Sequence, residues 1–150
     1  MLHQKIKEGI REATKLKEEV RLNVLRGILA AFVNELVARR RKPDEILSDA
    51  DALAVIARLA KQRKDSIEQF RKGGREDLAK QEEAELIILS EFLPPQMSQG
   101  EIEAFVKKKK EELDIASKDK MGQFLGIVMK ELKGKADGKT VKEVVESLFK

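Results

Sequence analysis

Cysteine is absent from this 150-residue chain, and so are tryptophan and tyrosine. Without cysteine there is no disulfide framework and no thiolate zinc site, and the composition suits a reducing compartment, for which we expect the cytoplasm. Six Phe are the only aromatic rings besides one imidazole, and all lie within apolar helical patterns. The chain therefore lacks the stacking residues of a reader of single-stranded bases. Its longest unbroken apolar run, Ile28 to Val33, is far too short to span a bilayer. No apolar signal core follows Met1, and Glu8 and Glu12 come too early for a secretory signal or a mitochondrial presequence. The lone histidine, His3, has no second metal-binding side chain spaced with it. No metal is expected, and His3 reads as structural or accidental at a frayed helix end.

Charge is what the chain has in plenty. Asp, Glu, Lys and Arg make up 39% of residues, with a net charge of +4. That balance permits a nucleic-acid partner without requiring one. The length suits one domain or two small ones.

Apolar residues recur at helical spacing throughout. Leu2, Ile6, Ile10 and Ala13 predict an amphipathic first helix. A second, from about Glu18 to Arg41, carries the seam Leu22, Leu25, Leu29, Phe32 and Leu36, which suits a bundle core. It runs out in Arg39, Arg40, Arg41 and Lys42 before Pro43. Those cations either complement the helix dipole or form an electrostatic footprint for phosphate.

Ser48 and Asp51 resemble a capping box that opens a third helix, ~36 Å long at 1.5 Å per residue. It reaches to about Lys72, where Gly73-Gly74 can supply a left-handed residue. A fourth helix begins near Arg75 and ends before Pro94-Pro95. So short a hinge makes the two helices antiparallel neighbours, with Phe70 facing Leu78, Leu59 facing Leu89 and Ile56 facing Phe92. The first arm carries a net +5 over residues 58–75 and the second a net −5 over 76–91. The same register predicts an ion pair from Arg63 to Glu85 or Glu82. Glu82, Glu83 and Glu85 could also be read as acid/base carboxylates, but no nucleophile or metal ligand accompanies them.

After the prolines, Ser98 and Glu101 form a full capping box for a fifth helix bearing Ile102, Phe105, Val106 and Leu113. Lys107 to Lys110 fan around its circumference as a solvated surface, with Lys109 running past the apolar face. A sixth helix, about Lys118 to Lys133, buries Met121, Leu125, Val128 and Leu132. Gly122 and Gly126 share a neighbouring face, each costing about 1 kcal/mol relative to Ala. Close approach by another backbone would offset that cost, either inside the bundle or against RNA or a partner protein. Gly134 closes the helix, and Asp137 is placed to cap a seventh with core residues Val141, Val144, Val145 and Leu148. From residue 130 to 142, Lys130, Lys133, Lys135, Lys139 and Lys142 outweigh Glu131 and Asp137 by +3. The turn reads either as a capped turn with solvated lysines or as a phosphate seat at a helix start. No Walker loop or dinucleotide fingerprint occurs, and no cofactor is expected.

The runs QRKDSIEQF, GGREDLAKQEEAE and EFLPPQMS, with RLNVLRGILAAF (Arg21 to Phe32) before them and KMGQFLGIVMKELKGKADGK (Lys120 to Lys139) after, resemble the YqeY family over nearly the whole chain. That family is related to the C-terminal tail of the GatB component of the glutamine-dependent aspartyl/glutamyl-tRNA amidotransferase. The resemblance implies contact with the body of a tRNA, and the related tail carries an Asn-Pro pair where this chain has Asp137-Gly138. An added acid there would weaken phosphate binding.

The architecture expected is all-α: an N-terminal helical domain, 1–95, built around the long hairpin, and a C-terminal three-helix domain, 96–150. The function expected is a non-catalytic tRNA-binding or tRNA-metabolism accessory module, with Lys130, Lys133, Gly134, Lys135, Lys139 and Lys142 on the RNA. The alternative is a protein-interaction module on an aminoacyl-tRNA synthetase or amidotransferase. A third reading, carbon–nitrogen ligation with glutamine as amido donor, requires a larger complex, because the resemblance covers the tail and not the catalytic portion. No membrane partner is expected.

Overall fold

The computed structural model describes residues 1–149, which form seven α-helices and one 3-10 turn. They are α1 (Leu2–Leu16), α2 (Glu19–Ala38), α3 (Asp49–Lys72), α4 (Glu76–Ser90), α5 (Gln99–Glu112), α6 (Met121–Glu131) and α7 (Gly138–Leu148), with the 3-10 turn Lys118–Lys120 leading into α6. The protein is all-helical. Contacts divide it into two compact units, Met1–Leu93 and Pro94–Lys150.

In the first unit, α1 packs on α2, and α3 and α4 form the hairpin. Ile6, Leu25, Ile28, Phe32, Leu36, Leu47, Ala52, Ile56 and Leu89 make a closed core, with Leu22, Leu29, Leu59 and Phe92 packed against it. The hairpin register follows from its turn. Gly74 adopts φ 73°, and the Arg75 N–H reaches back to the Phe70 carbonyl at 2.8 Å, closing α3 with a left-handed residue. Ser48 Oγ accepts the Asp51 N–H at 3.2 Å, so the cap read from the sequence does start α3.

Two expectations are corrected here. The second helix stops at Ala38, three residues short of Arg41, because Arg40 takes φ 58°. The Arg40 and Arg41 N–H groups then bond to the carbonyls of Val37 and Leu36. The same closure ends α1 at Lys17, φ 57°. His3 is not at a frayed end. Its side chain is 1% exposed, its ring lies 5.0 Å from that of Phe32, and its Nδ1 accepts the Leu47 N–H at 3.0 Å. Burial, and then the charge of Lys7, hold the imidazole below its ordinary pKa, so it is a neutral acceptor.

In the second unit, Ile102, Val106, Phe124, Val128, Leu132, Val141, Val144, Val145 and Phe149 form a separate core. Ser98 Oγ caps α5 through the Glu101 N–H at 3.2 Å. The sixth helix starts later than expected, since Lys118–Lys120 is 3-10, and Phe124 is its most deeply buried large side chain. Met121 and Leu125 are only half-buried.

Candidate nucleic-acid interface

The lysine-rich segment is a built turn whose backbone is held from one side. Gly134 takes φ 79°, and its carbonyl accepts Gln96 Nε2 at 2.9 Å. The Lys135 carbonyl accepts the Met97 N–H at 2.8 Å. The strand of chain after Pro95 therefore straps the turn, a role for Gln96 and Met97 that no sequence signal announced. Lys130, Lys133, Lys135, Lys139 and Lys142 are all exposed around it.

Both acids of the segment are engaged. Lys109 Nζ lies 2.8 Å from Glu131, and that hydrogen bond, with the charges of Glu131 and Glu112, holds the Lys109 ammonium above its usual pKa. Asp137 Oδ2 accepts from Thr140, from its N–H at 3.4 Å and from its hydroxyl at 3.1 Å. The capped-turn reading thus holds for the start of α7. The lysine side chains around the turn present a polyanion with long-range point charges and need no open helix terminus.

Gly122 and Gly126 do not serve close packing within their own unit. Both are exposed, and a Cβ built on either meets nothing within 4 Å among the described residues. The reason is rotational: α6 turns Phe124 and Val128 inward, and that places residues 122 and 126 outward. Met129 and Ile127, each 39% exposed, flank that outer side on opposite edges, Met129 nearer to the glycines and Ile127 at the far edge.

The other basic and acidic candidates are spent on each other. Arg63 Nη1 contacts Glu82 at 2.8 Å and also Glu85, and Arg71 contacts Glu76 at 3.3 Å and also Glu83. The three carboxylates that could be read as acid/base groups are therefore ion-paired across the hairpin. Arg39 bonds to Glu35 at 3.0 Å and Asp51 at 2.9 Å, and Arg41 to the Ile46 carbonyl at 3.2 Å and Glu45 at 3.4 Å. The Glu35 hydrogen bond, then Asp51, raise the Arg39 pKa. Two of the four cations of that run are thereby withdrawn from a phosphate role. A cleft of about 230 Å³ opens beside Gly27, floored by Val24, Ile28 and Leu59. Its polar rim includes the already paired Arg63 and Glu82. Among the described residues no group of three or more His, Asp or Glu could hold a metal ion. No helix among them is long and apolar enough to cross a membrane.

A family model described as Yqey-like protein matches residues 3–149. The chain belongs to the YqeY family. It is similar to proteins named "altered inheritance of mitochondria protein 41, mitochondrial". In Pyrenophora tritici-repentis the identity is 31% over 134 residues, covering 88% of this chain and 71% of the relative. In Vanderwaltozyma polyspora it is 32% over 139 residues, covering 91% and 69%. In Lachancea thermotolerans it is 34% over 106 residues, covering 67% and 54%, so the chain spans about half of that YqeY-domain relative. These names correct the expectation of a cytoplasmic location, because the relatives are mitochondrial by name. Missing cysteine says that disulfides are not used. It does not distinguish one compartment without them from another.

Proposed function

We propose that this YqeY-domain protein binds tRNA through its C-terminal unit and does no chemistry on its own. The observation that supports this most is the strapped Gly134 turn, with five exposed lysines around it and Glu131 neutralised by Lys109. The family's resemblance to the tail of the tRNA amidotransferase names the nucleic acid. Without Trp or Tyr, recognition rests on backbone and shape, as for other proteins that read folded RNA without stacking on its bases. Four or five phosphate contacts give a slope of log K against log salt of roughly −3 to −4. A fluorescence titration with bulk tRNA at several salt concentrations measures it. The triple replacement of Lys133, Lys135 and Lys139 by Gln should flatten the slope by about 2 or more. No binding at low salt, or a slope that the triple replacement leaves alone, refutes the reading.

A second reading follows from the outer side of α6. Gly122 and Gly126 leave exposed backbone there that nothing in their own unit covers, with Ile127 part-exposed at one edge. That surface favours docking on a protein of tRNA metabolism, such as an aminoacyl-tRNA synthetase or an amidotransferase. Binding to a purified synthetase or amidotransferase that survives nuclease treatment and is lost in Ile127→Glu would favour it.

A further inference from the structure

We propose that His3 is a proton-operated latch. Its neutral imidazole pins the segment 42–47 to the start of α1, and protonation releases that segment while the α3–α4 hairpin stays folded.

The latch is a single bond across 44 residues of chain, from the Leu47 N–H to His3 Nδ1 at 3.0 Å. Both partners are buried, His3 at 1% exposure and Leu47 at 0%. An imidazolium carries a proton on each nitrogen and cannot accept a hydrogen bond. Protonation therefore sets two donors against each other in a buried place, and places a charge beside the Phe32 ring.

The surroundings offer that charge little relief. On α1 itself Lys7 repels it. From α3, Asp49 approaches this end of α1, but its Oδ1 already accepts the Leu2 N–H at 2.8 Å. In the segment, Glu45 is taken by Arg41 at 3.4 Å and by the Lys42 N–H at 2.6 Å. From α2 the contact is the Phe32 ring. Burial and Lys7 both favour the neutral form.

The ends of the loop are fixed, by the Arg41 N–H on the Leu36 carbonyl and by Ser48 at the start of α3, and between them the segment is held largely by its own bonds. Arg41 bonds to Glu45 and to the Ile46 carbonyl, and the Glu45 N–H to the Lys42 carbonyl. Its attachment to the core is the Leu47 side chain and the Leu47–His3 bond. Opening there breaks few contacts, which is the condition for local release.

The direction of the pH effect follows from linkage. A released histidine takes up a proton near about pH 6.5, while the latched one resists it. The latched state is favoured above that pH and loses ground as pH falls through it, by up to about tenfold per unit.

Because His3 is the only histidine, one set of ring resonances reports its state. We expect its NMR titration midpoint to lie below the ordinary histidine value in the intact chain. Corrected for intrinsic exchange, the protection of the Leu47 amide should fall, by up to about tenfold, between about pH 7.5 and about pH 5.5. The Ala79 amide, in the hairpin, should keep its protection. In His3→Gln, whose carbonyl can accept the same bond but cannot titrate, the Leu47 change should disappear. A ring that titrates at the ordinary value, a flat Leu47 profile, or Ala79 falling in parallel with Leu47 overturns the latch. If His3→Gln does not fold, the ring titration and the Leu47–Ala79 comparison in the natural chain decide it.

Discussion

Lys109 Nζ sits 2.8 Å from Glu131 Oε1, tying α5 to the last turn of α6 at the border of the lysine-rich turn. The pair is solvent-screened, so it contributes little to stability. Its larger effect is on the field of the site, because it cancels an acid among the lysines.

Replacing Lys109 by Gln should therefore weaken tRNA binding by about threefold at low salt, with little change in melting temperature. Adding Glu131→Gln in the same chain should restore the affinity, since the net charge is then that of the natural protein. A double variant as weak as the single one would make Lys109 a direct phosphate contact instead.

At Asp137 the opposite sign is expected. Asn can still cap α7 by accepting the Thr140 N–H, so Asp137→Asn keeps the helix start and removes a negative charge from the turn. Affinity for tRNA should rise by about threefold, and the rise should vanish at high salt. Isothermal titration at two ionic strengths measures both.

The Arg63 pairs separate burial from number. Arg63 and its partners Glu82 and Glu85 are each about two-thirds or more shielded, whereas Arg71 and its partners are more open. Arg63→Met should cost about 1–2 kcal/mol, and Arg71→Met clearly less. Urea unfolding followed by far-UV circular dichroism is the suitable probe, because the chain has no Trp.

Two glycines should respond in opposite directions to alanine. Gly126 has open space around its Cβ position and ordinary helical geometry, so Gly126→Ala should stabilise α6 by about 0.5–1 kcal/mol. Gly134 sits at φ 79°, where a side chain is strained, so Gly134→Ala should destabilise by about 1 kcal/mol. Thermal melts of both variants check the pair. If Gly126→Ala also loses tRNA or protein binding while gaining stability, the outer side of α6 is a contact surface.

Much of the fold was legible because its signals are local. Ser48, Ser98 and Asp137 cap the helices they precede, and Gly74 and Gly134 turn left-handed where glycine was expected to. A side-chain oxygen within reach of the next N–H groups acts over three residues, so the sequence carries it whole. The hairpin register was legible for a related reason: a two-residue turn leaves antiparallel helices almost no freedom to slide. Lys17, Arg40 and Asp114 close helices with the same left-handed geometry but without glycine. Lys and Arg do not announce that geometry, and the closing bonds around them run to backbone carbonyls three to five residues back.

The sequence alone determined the helical class, the hairpin, the caps at Ser48, Ser98 and Asp137, and a basic turn near Gly134, since each depends on neighbours along the chain. Tertiary structure decided which charges are spent and which are offered. It brought Asp51 to Arg39, Lys109 to Glu131 and Leu47 to His3, and it turned Gly122 and Gly126 outward. Those outcomes depend on the rotation of one helix against another and on contacts between residues far apart in sequence. Periodicity identifies the apolar face of a helix, but only packing shows what lies opposite the rest of it.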